Sequence, residues 1–198
     1  MRRRSLLAGL ASGATVGLAG CLGATQYVVT DARVESDPSP LDVAVSIGNP
    51  NAVIQHPASL TFTLTNTSQR PIHVRNIGIW PLGLLKLSPA PTAENAKSGP
   101  STILWNTAYE TSPHVTVHSR SAYGTDRVPL TKPVRSGSSV SATYQIHGDD
   151  VNHPGTYYVY GDFDVPLLTY ATADSNNFET YLPKVSVTIQ QKSVLPGR

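Results

Sequence analysis

The amino-acid sequence predicts an all-β protein, an antiparallel two-sheet sandwich of about seven to nine short strands. Three observations lead there. Apolar and polar residues alternate with a period of two in several separate stretches from Gln26 onward, as in strands with one buried face. No stretch of ten residues or more carries apolar side chains at helical spacing. Clusters of turn-forming residues, at 66–70 and 147–155 among others, punctuate the alternating segments.

The elements follow in order. Residues 27–35 are rich in β-branched side chains and read as the first strand. In 41–47, Leu41, Val43, Val45 and Ile47 share one face. In 59–65, Leu60, Phe62 and Leu64 point inward, and Thr61, Thr63 and Thr65 outward. Residues 71–80 read as a strand in which Ile72 and Val74 share a face with Ile77 and Ile79 only if Asn76 sits in a bulge. Residues 86–102 contain Pro89, Pro91, Gly99 and Pro100 and read as a loop. A short strand is expected around Trp105, and another at 114–118 with Val115 and Val117 on one face. Residues 120–137, with Pro129 and Pro133, read as irregular. Residues 139–146 alternate strongly, with Val140, Ala142, Tyr144 and Ile146 inward. A strand at 156–165, a polar loop at 171–177 and a last strand at 184–190 complete the domain, and the tail at 193–198 is expected to fray. About twenty inward apolar side chains, each contributing roughly 1.5–3 kcal/mol on burial, would offset the ordering entropy without crosslinks.

Ahead of the strands lies a segment of different character. Arg2, Arg3 and Arg4 precede an uncharged apolar run of 15 residues, Leu6 to Gly20, and Cys21 follows. A basic start, an apolar middle and a small-residue site make an export signal. The run falls short of the ~20 residues that span hydrocarbon as a helix, so residues 1–20 are expected to be cleaved. Arg3-Arg4-Ser5-Leu6-Leu7 resembles a twin-arginine export motif, and Leu18-Ala19-Gly20-Cys21 resembles a lipobox. The whole segment is similar to the lipoprotein signals of halophilic archaea. That resemblance implies export through Arg3 and Arg4, cleavage before Cys21 and a two-chain lipid on its thiol, two chains being what stable anchoring takes. Residues 21–25 would then be a short linker, and the β domain, 26–192, would sit at the outer face of the cytoplasmic membrane.

Composition narrows the function. Taking Arg2, Arg3 and Arg4 from the 15 basic residues leaves 12 against 13 acidic ones, a net charge near −1. No basic cluster remains to bind nucleic acid. Cys21 is the single cysteine, which excludes an intrachain disulfide and, once lipidated, thiol catalysis or a cysteine-ligated metal. No Gly-x-Ser-x-Gly, phosphate-cradling loop or His-Glu-x-x-His occurs, so no catalytic residue, cofactor or metal is assigned and a non-enzyme is expected.

A second resemblance concerns the domain. Leu60-Thr-Phe-Thr-Leu-Thr-Asn-Thr-Ser, Arg70-Pro-Ile, Gly137-Ser-Ser and Pro154-Gly-Thr-Tyr-Tyr-Val-Tyr160 resemble phrases of immunoglobulin-like domains. They are similar in particular to the BsuPI-type, intracellular-proteinase-inhibitor-like group, over about residues 59–165. The resemblance implies an immunoglobulin-like sandwich in which Tyr157 or Tyr158 pins a strand corner by bonding back to the backbone. It also implies proteinase inhibition, through a presented loop such as 86–102.

Several residues carry candidate chemistry. Tyr158, Tyr160, Asp162 and Asp164 alternate away from Tyr157, Val159 and Phe163, making an aromatic-acidic stripe suited to partner contact or to cross-strand packing. Residues 80–87 form an apolar run that either meets a partner or membrane or folds onto the core. His114 and His118 sit four apart, about 13 Å along a strand, too far to share a metal ion without a bend. His147, Asp149, Asp150 and His153 cluster in a turn without a known calcium-loop pattern, and residues 174–179 are a weaker case. Asn66-Thr67-Ser68 is a glycosylation acceptor pattern at Asn66. The expected function is a non-catalytic, lipid-anchored cell-surface module that binds a protein or a surface polymer. The alternatives are a proteinase inhibitor and a structural accessory subunit of an envelope assembly.

Overall fold

The computed structural model describes residues 26–36, 39–53, 56–162, 167–175 and 177–192. Arg3, Arg4, Cys21, Asp164 and the tail at 193–198 lie outside the described residues.

In chain order the elements are β1 (Tyr27–Glu35), β2 (Leu41–Ile47), β3 (Asn51–Ala52), β4 (Ala58–Asn66), β5 (Ile72–Ile77), β6 (Leu85–Ser88), α1 (Ala93–Ser98), β7 (Thr102–Leu104), β8 (Val115–Ser119), β9 (Ala122–Thr125), β10 (Pro129–Val134), β11 (Ser139–Ile146), β12 (Gly155–Gly161), β13 (Leu168–Thr172), β14 (Glu179–Tyr181) and β15 (Lys184–Gln191). Every strand pairing among the described residues is antiparallel. Six strands, in the order β3-β1-β15-β12-β6-β7, curl into a half-barrel. A four-stranded sheet runs β10-β5-β13-β14, a three-stranded sheet runs β11-β4-β2, and β8-β9 stands as a hairpin. A bridge between Trp105 and Gln145, with backbone bonds of 3.0 and 2.7 Å, ties the end of β7 to β11.

The all-β class and the antiparallel direction stand as expected. The plain two-sheet sandwich is corrected to fifteen strands in four sheets among the described residues. The extra strands come from stretches that read as irregular. Residues 86–102 begin inside β6, an interior strand of the half-barrel, continue through α1 and end in β7. Residues 120–137 hold β9 and β10; β10 is an edge strand, where Pro129 and Pro133 are tolerated. The polar loop expected at 171–177 starts within β13, and β14 follows it.

Where the alternation is clean, side chains face as read. Leu60, Phe62 and Leu64 on β4 are at most 1% exposed. On the opposite face, hydroxyl pairs Thr61–Thr143, Thr63–Ser141 and Thr65–Ser139 share hydrogen bonds of 3.0, 3.0 and 2.8 Å. These follow from the β4–β11 register, which sets each pair directly opposite. Phe62 meets Tyr144 edge-on at 5.6 Å in the core, and the Tyr144 hydroxyl donates to the Gly83 carbonyl at 2.7 Å. Tyr109 packs between Trp105 and Tyr123 and donates to the Leu104 carbonyl at 3.1 Å.

Strand β5 needs no bulge. Its register with β10 is unbroken from Ile72 to Ile77, and Asn76 is buried on the inner face beside Ile72 and Val74. Its amide donates to the carbonyls of Pro81 (3.1 Å) and Leu167 (2.8 Å) and accepts from the Ile77 N–H (2.9 Å), so the polar group is satisfied. Ile79 reaches the core because the chain turns at Gly78, whose φ is +80°. The apolar run 80–87 folds onto the core: Leu82, Leu84, Leu85 and Leu87 are buried, and Trp80 is half-buried against them.

Candidate functional site

Strand β12 has two faces, and the site is built on the outer one. Tyr157 and Val159 point inward and are buried; Tyr158 and Tyr160 point outward and are half-buried. The Tyr157 hydroxyl donates to the His153 carbonyl at 2.7 Å, four residues back. Of the two tyrosines expected to pin the strand corner, Tyr157 is the one that does so.

Over Tyr158 and Tyr160 lies a groove of about 530 Å³, bounded by β12, by α1 and by the turn between β14 and β15. Residues 92–98 fold into α1 because the Thr92 hydroxyl caps the Asn95 N–H at 3.4 Å, with Glu94 in the first turn and Lys97 in the last. Ala96 on α1 is buried, and the Tyr160 hydroxyl donates to the Ala90 carbonyl at 2.9 Å, fastening the segment before the helix to the sheet. Burial pushes the Tyr160 phenol above its ordinary pKa, so it stays protonated and keeps this bond.

The lining is mostly aliphatic and aromatic, with Ala93, Val159, Leu167 and Val185 beside the tyrosines. Leu182 stands at the rim and is 71% exposed, the larger of two such apolar exposures among the described residues. Three lysines, Lys86, Lys97 and Lys184, join the lining, and no carboxylate among the described residues does. The Lys184 ammonium lies 5.5 Å from the Tyr158 ring centre and 3.4 Å from the Glu35 carboxylate. Pairing β1 with β15 brings Glu35 opposite Lys184, and pairing β12 with β6 brings Tyr160 opposite Lys86.

Asp162 does not share the tyrosines' open face. Its carboxylate accepts the Tyr123 hydroxyl at 2.9 Å and lies 3.7 Å from the Lys86 ammonium, so it clasps β9 to the end of β12. Of the aromatic-acidic stripe, Tyr158, Tyr160 and Asp162 are described; Asp164, its last member, lies outside the described residues.

Asn66 is corrected as a modification site. It is 0% exposed, and its amide nitrogen, the atom that would carry a glycan, donates to the carbonyls of Arg70 (2.8 Å) and Val134 (2.9 Å). Its oxygen accepts from the Ser68 N–H and hydroxyl at 3.0 and 2.7 Å. The Asn-x-Ser pattern here is an Asx-turn that closes β4 onto β10 and β11.

The histidines scatter. The His114 ring lies 2.8 Å from the Asp126 carboxylate, which His114 holds below the usual carboxylate range, while His118 is exposed. Arg120 pairs with Asp149 at 2.6 Å, and burial lowers the pKa of the neighbouring His147. Among the described residues no three His, Cys, Asp or Glu side chains converge as a metal-ligand set.

Sequence reasoning found Tyr158 and Tyr160 but missed the lysines, Leu182 and the covering helix. The signals present were the Thr92-x-Glu94 start of a short helix, inside the segment that reads as a loop at 86–102, and Leu182-Pro183, between the loop at 171–177 and the strand at 184–190.

No curated protein matches the chain. The family described as a domain of unknown function, DUF8130, matches residues 1–196, and the chain belongs to that family.

Proposed function

We propose that this protein is a lipid-anchored, non-catalytic binding module at the outer face of the cytoplasmic membrane. The groove over Tyr158 and Tyr160 is its contact site for a protein or surface polymer. The observation that carries the reading is the coincidence, in one groove of about 530 Å³, of two outward tyrosines with the strongly exposed Leu182. Aromatic side chains around an apolar depression are what contact sites are built from. The lining is mostly aliphatic and aromatic, a composition that supports a contact site. Anchoring rests on the leader alone: three arginines, an uncharged run and Cys21.

An immunoglobulin-like descent is supported by the Tyr157–His153 corner bond and by the paired β4 and β11 faces. Proteinase inhibition gains no support from 86–102, since β6 and α1 occupy the stretch that would have to be an extended presented loop.

Two variants test the reading. Cys21→Ser should move the protein from the membrane fraction to the soluble fraction; unchanged partition rejects the lipid anchor. Combining Tyr158→Ala with Leu182→Ser should abolish crosslinking to the surface partner in intact cells while circular dichroism keeps its β signature. Crosslinking that survives rejects the groove as the contact.

A further inference from the structure

We infer that the free edge of β11 pairs with the same edge of a second copy of this chain. The two strands run antiparallel about a two-fold axis at Ser141 and join two three-stranded sheets into one of six strands. This surface is separate from the groove over β12, and the inference does not rest on the groove.

Sheet edges are kept from pairing by shortness, charge, proline or a bulge. Among the described residues most edges of this fold carry such a guard. β3, β7, β9 and β14 run only two to four residues. β8 has a register shift against β9, β10 carries Pro129, Lys132 and Pro133, and β2 carries Asp42. β11 has none of these: its eight residues hold no charge and no proline, and its register with β4 is unbroken.

The open groups can be named. Gln145 exchanges backbone bonds with Trp105, so it turns its N–H and C=O away from β4. Alternate residues of a strand turn the same way, so Ser139, Ser141 and Thr143 do likewise, and no described strand meets them. The inner face is open at the same place. Val140 and Ala142 lie opposite Leu64 and Phe62, which are at most 1% exposed, yet both remain half-buried.

The edge complements itself in one register. Centring on Ser141 sets Ser139 opposite the second copy's Thr143, and Val140 opposite its Ala142. Ser141 with its own copy, and Ser139 with Thr143 on either side, then exchange N–H···O=C bonds in pairs. On the outer face hydroxyl meets hydroxyl, and the Thr65–Ser139 and Thr61–Thr143 rows join end to end. On the inner face Val140 and Ala142 cover each other. A shift of two residues toward Ile146 would bring the second copy's Ser139 against Gln145, where Trp105 already sits. Before β11, Gly137 has φ of +66° and gives its N–H to the Asn66 carbonyl, which turns the chain back onto its own sheet and out of the second copy's path. Few residues meet on each side, so a weak dimer is expected, with Kd about 10–100 μM.

The test uses the full chain carrying Cys21→Ser, so that any introduced thiol is the single one and the outcome is independent of the anchor. Sedimentation equilibrium at about 200 μM should show mostly dimer. Monomer at that concentration, or growth beyond dimer, overturns the inference. Ser141→Lys and Ser141→Glu, at an exposed position, each set like charges face to face and should weaken dimerisation about tenfold with the melting temperature little changed. An equimolar mixture of the two should pair at least as tightly as the parent. Under mild oxidation Ser141→Cys should link to itself. Ser139→Cys alone should not, because four strand steps, about 14 Å, separate its two copies, but it should link when mixed with Thr143→Cys. A dimer indifferent to the charge pair, linkage through Ala44→Cys on β2 instead, or Ser139→Cys linking to itself as fast as to Thr143→Cys overturns the edge assignment.

Discussion

Two buried asparagines, Asn66 and Asn76, show what a single side chain contributes to this fold. Each sits on an inward face and donates to two backbone carbonyls. Asn66→Ala leaves the Arg70 and Val134 carbonyls without that donor and should destabilise the protein by about 1–3 kcal/mol in denaturant titration. A cost below a few tenths of a kcal/mol, or a glycan found on Asn66, contradicts the turn-closing role. Tyr157→Phe removes the corner bond to the His153 carbonyl and the 3.2 Å contact with the His153 Nδ1, and should cost about 1 kcal/mol. His147 carries a pH effect. Burial, and then the charge of Arg120, lowers its folded-state pKa below that of the unfolded chain. The unfolded chain binds the proton more readily, so stability holds above about pH 6.5 and falls as pH drops toward the lowered value. His147→Gln should therefore show a smaller loss of melting temperature on acidification than the unmutated protein; an equal or larger loss contradicts the assignment.

At the scale of elements, the link from β5 to β6 carries the tightest constraint. Gly83 has φ of +72°, and a Cβ there would run into the Asn76 side-chain oxygen. Gly83→Ala combines a left-handed backbone, about 1–2 kcal/mol for a non-glycine residue, with that clash. It should lower stability by more than the backbone term alone, measured by thermal or denaturant unfolding. The outer face of β4 and β11 is the opposite case. Its hydroxyl ladder is exposed, and a double-mutant cycle on Thr63→Ala and Ser141→Ala should give a coupling of roughly 0.2–1 kcal/mol. The alternation of β2, β4, β11 and β15 was legible because side chains on a strand alternate faces whatever the partner. Strands β9, β10, β13 and β14 were not, because they are short, carry proline or polar residues, and owe their existence to β5 and to each other.

Across the whole molecule, the first and last long strands lie side by side in the half-barrel, with β15 also pairing with β12. Ending the chain after Pro183 removes Val185, Val187 and Ile189, each at most 1% exposed, and leaves β1 only the two-residue β3 and β12 only β6 as strand partners. Such a truncation should be unfolded by circular dichroism, since no local pairing replaces these bonds. Contacts this distant in sequence also place refolding in the millisecond-to-second range expected of non-local β topologies, which stopped-flow fluorescence of Trp80 and Trp105 can follow.

By itself the sequence determined the class of fold, the inward and outward faces of the regular strands, the tyrosine pair and the expectation of an exported, lipid-bearing leader. Those are local properties, written in side-chain period and in short contiguous motifs. The tertiary structure alone decided that Asn66 is an internal brace, that Asp162 is a clasp, and that Tyr158, Lys184, Leu182 and α1 enclose one groove. Each of these depends on strand pairings that join residues far apart along the chain, and no local pattern encodes which strands will meet.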